Sequence, residues 1–426
     1  MKKSKLLLAG LLAMSAAGVA NAATTVHITG STAFRKATVI AIENLMTAGG
    51  GFKAAYVANS ATVGGEQASN FAIFQGNING LPAGANPVTI KAHWTGSTGG
   101  IQTLVQNIPD PLWMADSNLP PTNTIVNVAT ATNDTASIAD VTMEDSHQAS
   151  TGFTTTTLTE TQVGVIIFEW VANSGSPTTM NNITPLLAQA ALSGGMLLSQ
   201  FTGNPADGDI VYATGRNFDS GTRLSELAES GLGVFASIQQ MEPLLTGTVV
   251  TKLNVWHAET VLGIPFGLGQ SGFSGGGALA AALAATGSNT ANTSDPTGAP
   301  FGPGWLVAYL GRNDASTACT APSTAHRLSW NGAKAWTGTD GGKAGLPGSG
   351  QPCIWNDTPV AEGTYSLWEY EWLAYRSNYG TTSPNGKAVA DKIALQIIPA
   401  DAAQSGTTLG AMNVSRPTEG GLITHK

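Results

Sequence analysis

Charge is what this chain has least of. Only 11% of its 426 residues are Asp, Glu, Lys or Arg, against about 25% in ordinary soluble domains. The 19 basic residues are outnumbered by 27 acidic ones, for a formal net charge of -8. That balance argues against nucleic acid or an anionic membrane as a partner. Cysteine is almost missing as well: Cys319 and Cys353 are the only two, and without an adjacent histidine they do not make a zinc site. Beyond the N-terminus no run approaches the roughly 18 apolar residues of a membrane span.

The first 22 residues read as a secretory leader. Lys2, Lys3 and Lys5 form a positive start, LLLAGLLAMSAAGVA is an apolar run, and Ala20-Asn21-Ala22 is a small-x-small cleavage site. No cysteine near that site suggests a lipid anchor. The expectation is a soluble protein of the periplasm or the extracellular space. In an oxidising compartment Cys319 and Cys353 are expected to pair, and closing their loop would stabilise by roughly 3 to 4 kcal/mol. A chain of this length exceeds what one core usually serves, so two domains are expected.

Strand-then-helix units recur along the chain. TTVHITG, Thr24 to Gly30, is a β-branched strand that meets the helical pattern FRKATVIAIENLM through Ser31 and Thr32, both good N-cap residues. PVTIKAHWTG is followed by STGGIQTLVQN, which opens a helix at Ser97 or Thr98. DIVYATGR leads through RNFDSGTR into LSELAESGLGVF. Such repetition implies α/β architecture with parallel strands and helix N-termini at their carboxyl ends. QVGVIIFEWVANSG, Gln162 to Gly175, is too continuously apolar for a surface strand and reads as a buried one. TPLLAQAALSGGMLLSQF is a helical pattern interrupted at Gly194-Gly195, TYSLWEYEWLAYR a strand and KAVADKIALQI a helix. About Pro120 to Glu160, rich in Thr, Ala, Asn and Ser, reads as a surface insertion, and the Gly- and Pro-rich stretch Thr337 to Pro352 as loop.

Three helix starts that present hydroxyls and unsatisfied backbone N–H groups make an anion receptor, because free amides and the helix dipole both favour negative charge. Arg216 adds a cation whose planar fork suits the paired oxygens of a tetrahedral oxyanion. These residues resemble the phosphate-binding (PstS-like) proteins of bacterial ABC transporters. TGSTAF is similar to that family's TGAGATF or GSTT turn, TGSTGGIQTL to its GSSGG-V/I helix start, and MADSNLP to its ASD-x-P-L segment. RNFDSGTR keeps the spacing of R-x-x-x-S-G-T. GVIIFEWVAN looks like the buried interdomain strand, GFSGGGALAAAL with GWLVAYLG like the Gly-rich helix start and following strand, and YSLWEYEWLAYR like the return to the first lobe. The order is kept over most of the chain.

The resemblance implies a type II-like periplasmic binding protein of two lobes, each a mostly parallel sheet flanked by helices, joined by a two-strand hinge. Residues 23–172, carrying the insertion at about 120–160, and 363–426 would form lobe I, and 173–362 lobe II. It further implies no enzymatic activity, no cofactor, inorganic phosphate as ligand and a membrane permease as partner. Phe34 matches the aromatic of the first turn, Ser97 the serine of the second helix start, Asp116 the cleft aspartate, and Arg216, Ser220, Gly221 and Thr222 the arginine and anion-cradling triplet. Two departures stand out. The first turn is one residue shorter, so Ala33 falls where the family often has a hydroxyl and Ser31 or Thr32 must substitute. Phe218 stands where an aspartate commonly steadies the arginine, and the nearest acid is Asp219. A carboxylate beside the ligand would select phosphate, which brings a proton to share, over sulfate, which does not.

Other readings accompany these. Arg216 could pair with Asp219 on a surface turn, and Ser31, Thr32 and Ser97 could be plain N-caps. Gly272-Phe273-Ser274-Gly275-Gly276 formally matches the G-x-S-x-G of hydrolases, without a clear preceding strand. Glu144, Asp145 and His147 cluster inside the expected insertion, where a solvated loop is favoured over a metal site. Trp94 and Trp113 flank proposed site segments. A second function class is a surface structural or adhesive protein that keeps this fold and works by self-association, suggested by the low charge and the Thr-rich insertion.

Overall fold

The computed structural model describes residues 24–58, 65–261, 263–285, 292–294, 300–302, 304–338 and 353–426. The expected leader and most of the 337–352 stretch lie outside them.

The first lobe is laid down by β1 (Thr24–Gly30), α1 (Arg35–Ala48), β2 (Phe52–Val57), α2 (Gly65–Ala68), β3 (Phe71–Gly76), β4 (Val88–His93), α3 (Ser97–Gln106), β5 (Ile125–Asn127) and β6 (Val141–Glu144). β1 lies between β4 and β6 and parallel to both, with Val26 opposite Ile90 and Thr29 opposite Thr142. β2 and β3 form an antiparallel extension beyond β4. Gly30 closes β1 at φ +108°, and a Cβ there would collide with the Met143 carbonyl. Only glycine lets the chain turn from strand to helix so close to β6.

β7 (Leu158–Ala172) follows, 15 residues long and so about 50 Å at 3.3 Å per residue. Its residues from Val163 onward are buried, as the apolar run GVIIFEWVA requires.

The second lobe contains β8 (Asn182–Ile183), α4 (Pro185–Leu192), β9 (Met196–Leu197), α5 (Ser199–Thr202), β10 (Ile210–Ala213) and α6 (Gly221–Glu229). Thr184 caps α4 by accepting from Leu187 N–H at 3.3 Å, and Gly194 and Gly195 at φ +118° and +106° end the helical pattern. β11 (Met241–Thr246), β12 (Val249–Val255), β13 (Glu259–Val261), β14 (Ile264–Phe266), α7 (Gly276–Ala284), β15 (Asn292–Ser294), β16 (Pro300–Gly302), β17 (Gly304–Gly311), α8 (Arg312–Cys319) and β18 (His326–Trp330) follow in chain order, β11, β12, β15 and β16 forming a separate four-stranded sheet and β13 and β14 a pair. β10 and β17 are parallel, and β17 runs antiparallel to the end of β7, Val307 facing Ala172.

The chain returns through the short pair β19 (Trp336–Thr337) and β20 (Ile354–Trp355), the turn α9 (Thr358–Ala361) and β21 (Trp368–Arg376), then α10 (Tyr379–Thr382), α11 (Pro384–Ile397) and β22 (Gly406–Thr407). β21 pairs antiparallel with β7 from Trp368 opposite Ile167 to Arg376 opposite Leu158. One continuous sheet of 14 strands results, its main path β5-β2-β3-β4-β1-β6-β21-β7-β17-β10-β9. The fold is the expected α/β architecture. The strands that feed the helix starts are parallel, and antiparallel pairs form one edge and the middle of the sheet.

The structure corrects the expected insertion at about 120–160. Val141 to Glu144 is a fully buried central strand, wedged between β1 and β21. Four residues are too few to show a period, so the strand is hidden in the Thr-rich composition around it. Cys319 and Cys353, expected to pair, form no disulfide among the described residues. Cys319 is buried at the end of α8, and Cys353 Sγ lies 3.2 Å from Arg327 Nη1.

Candidate functional site

The N-termini of α1, α3 and α6 converge where the lobes meet. Ser31, Thr32, Ala33, Phe34, Ser97, Arg216, Ser220, Gly221 and Thr222 are all buried, Arg216 bonding to Thr32, Ser97 and Thr222 meeting at Asp145, and Gly221 lying against Ser97. Ser31 Oγ accepts from Phe34 N–H at 3.1 Å and so shapes the turn into α1. Gly96, at φ +103°, precedes α3, and a Cβ on it would collide with the Asp219 carbonyl of the other lobe. That carbonyl accepts from Gly99 N–H at 3.0 Å. Ser220 caps α6, its Oγ accepting from Arg223 N–H at 3.4 Å.

Arg216 ties the segment after β10 to the turn before α1. Its Nη1 donates to Thr32 Oγ1 at 3.1 Å, its Nε to Phe273 O at 3.0 Å and its Nη2 to Ser274 O at 2.9 Å. Of five guanidinium hydrogens these use three, leaving one on each terminal nitrogen. The G-x-S-x-G segment is therefore a backbone cradle for the arginine. His326 lies against Met180 O and Ser176 Oγ. Burial pulls the guanidinium pKa down, and the nearby Asp314, Asp145 and Asp219 oppose that shift. Two carbonyls and the Thr32 hydroxyl, not a carboxylate, accept from the guanidinium.

Asp116 is not among these groups. Its side chain is 63% exposed and pairs with Lys91 Nζ at 2.8 Å. The acid in the site is Asp145, which directly follows β6. Its Oδ1 accepts from Ser97 Oγ, its Oδ2 from Thr222 Oγ1 at 3.3 Å, and its N–H donates to Ser97 Oγ at 3.0 Å. The carboxylate lies so close to Gly221 that a Cβ there would collide with it. Burial pushes the Asp145 carboxyl up, while Ser97, Arg216 and Thr222 favour its charged form.

Sequence reasoning placed Asp145 in a loop because β6 was not visible; a β-branched V-T pair ending in an acid was the available signal. It also missed Arg35, whose Nη1 donates to Asn70 Oδ1 at 2.5 Å. Burial lowers the Arg35 pKa to about 10, Asp314 opposes this and Arg216 adds to it, so the two cations share one region. Asp314, in the first turn of α8, faces the start of α7, where a Cβ on Gly276 would collide with it. Glu144, Asp145 and His147 do not form a metal site: among the described residues no group of three such side chains is arranged to hold an ion. Trp94 and Trp113 are core residues, 2% and 0% exposed.

No protein-family model and no curated protein matches the chain. Solved structures with a similar course do exist. One, from Clostridium perfringens, assigned as a phosphate ABC transporter substrate-binding protein with bound phosphate, is 11% identical at a TM-score of 0.45, covering 89% of this chain and 98% of that one. PstS from Borrelia burgdorferi is 12% identical at 0.33, covering 87% and 97%. Full-length OxyR from Pseudomonas aeruginosa is 10% identical at 0.36, covering 91% and 74%. At TM-scores below 0.5 these likenesses carry no argument about ligand or activity, which rests on the residues themselves.

Proposed function

We propose that the protein is an exported solute-binding protein that captures inorganic phosphate between its lobes and passes it to a membrane permease. The observation that carries this reading is the convergence of three helix N-termini on a buried arginine and a buried aspartate contributed by opposite lobes. First-turn amides, the Thr32 hydroxyl and the two remaining Arg216 hydrogens are donors suited to a tetrahedral oxyanion, while the Ser97 and Thr222 hydroxyls donate to Asp145. Asp145 is the acceptor in their midst, and an anion that carries a proton satisfies it. A shallow cleft lined by Thr98, Thr151, Phe218, Ser220 and Arg223 runs along the seam between α3 and α6. Ligand entry requires the lobes to part along it, breaking contacts such as Arg216 to Thr32. The residues bind and orient; they assemble no nucleophile and base.

Small-angle scattering tests capture by closure. Phosphate is expected to lower the radius of gyration of the wild type, and Arg216→Ala is expected to abolish the change while circular dichroism shows an intact fold. An equal contraction in the variant would remove Arg216 from the site.

A further inference from the structure

Two buried carboxyls beside the site have no role in the account so far. Glu371 on β21 and Glu144 at the end of β6 are both 0% exposed. Among the described residues neither forms an ion pair, and no hydrogen bond of good geometry reaches any of their four carboxyl oxygens. Ser31 lies against Glu371, and the charged groups that act on it are Asp145, directly after β6, and Glu144 at the end of β6. Glu144 is faced by Asp145, by Glu160 of β7 and by Glu419 of the C-terminal segment.

His147 is engaged elsewhere: its Nδ1 accepts from Ala149 N–H at 3.1 Å and its Nε2 lies 3.1 Å from Glu160. Arg216 is engaged with Thr32 and two carbonyls and faces Asp145 rather than Glu371. Trp372 stands opposite Glu144 in the β21–β6 register, so Glu371 and Glu144 lie on opposite faces of the sheet, and acids buried there beside Asp145, out of water, do not all ionise. An orphaned acid in such a place keeps its proton and becomes a donor.

We propose that Glu371, with Glu144 behind it, is a proton-bearing member of the anion seat, so that oxyanion capture is linked to pH. The proposal rests on the anion-binding reading above and adds a specificity determinant to it. Asp145 accepts from the ligand, whereas Glu371 donates to it. Burial raises both glutamates well above the ordinary carboxylate range, which agrees with this assignment. The seat is complete while Glu371 holds its proton. As pH rises and the proton leaves, a carboxylate faces the anion and affinity falls.

The test is a calorimetric titration of inorganic phosphate into wild type and Glu371→Gln across neutral to alkaline pH. Phosphate titrates in this range itself, so the comparison is between the two proteins in the same buffers. The wild type is expected to lose additional affinity as pH rises, up to about tenfold per unit for one linked proton, relative to the variant, whose amide cannot ionise. Identical pH profiles would overturn the proposal. Infrared difference spectra of the ligand-free proteins supply a readout independent of binding. A protonated-carboxyl band present in wild type at neutral pH and diminished in Glu371→Gln supports the assignment, and its absence from wild type overturns it. The band without any phosphate heat would instead overturn the anion-binding reading, and the linkage with it.

Discussion

Replacing Asp145 by Asn isolates selectivity from affinity. In the wild type the carboxylate sits between Ser97 Oγ and Thr222 Oγ1, in the space an anion must approach. Two unit charges at 4 Å interact by about 4 kcal/mol at an effective dielectric of 20, and that repulsion corresponds to roughly a thousandfold in affinity. Phosphate escapes it by sharing a proton with Asp145, and sulfate at neutral pH has none to share. Asp145→Asn is therefore expected to raise sulfate affinity by up to about three orders of magnitude, since the amide can donate to the oxygen that the carboxylate repelled. Phosphate affinity should change much less. The assay is paired titration of both anions into both proteins at neutral pH and fixed salt, because screening alters any contribution from exposed charge. A wild type that binds the two anions equally, or a variant that still rejects sulfate, refutes the reasoning.

Asp116→Asn is expected to leave phosphate and sulfate binding unchanged in the same titrations, and to cost at most about 1 kcal/mol in denaturant unfolding, since Lys91 keeps Asp134 at 2.5 Å. Stability should fall from mildly acidic to alkaline pH. Burial raises Asp219 from 3.8 to about 7 and Glu226 from 4.5 to about 8, so the folded state retains protons that the unfolded state has lost. Their contribution is full below pH 4 and is lost as pH rises through 7 to 8, on the order of 4 kcal/mol for Asp219. Thermal unfolding of the ligand-free protein between pH 4 and pH 9 measures it, and a melting temperature that rises over that range contradicts the sign.

Long, strongly patterned elements were legible in the sequence. The apolar run that became β7, the strand that became β21 and the α11 pattern each carry enough residues for a period or a composition to show. The helix starts were legible for another reason: Ser, Thr and Gly clusters between a strand and a helix pattern are local chemistry. What was not legible depends on tertiary neighbours. β6 is four residues long, and its burial comes from β1 and β21, which are distant in sequence. Asp145 inherits its place from β6, so the acid was sought at Asp116, where the motif resemblance pointed and where the fold instead supplies Lys91. Arg35 shows the same limit, since its neighbours Asp314 and Arg216 come from the other lobe. Nothing in the sequence of β21 sets Glu371 apart, and only the enclosing elements make it a buried acid.

The central claim is that a monomer closes its lobes on phosphate. Calorimetric titration of the protein with inorganic phosphate, with molar mass followed by light scattering on the same samples, tests it most directly. The account predicts saturable binding of one phosphate per chain by a monomer. A protein that yields no binding heat and assembles into large particles would contradict it, and would favour a structural, self-associating role for the same fold.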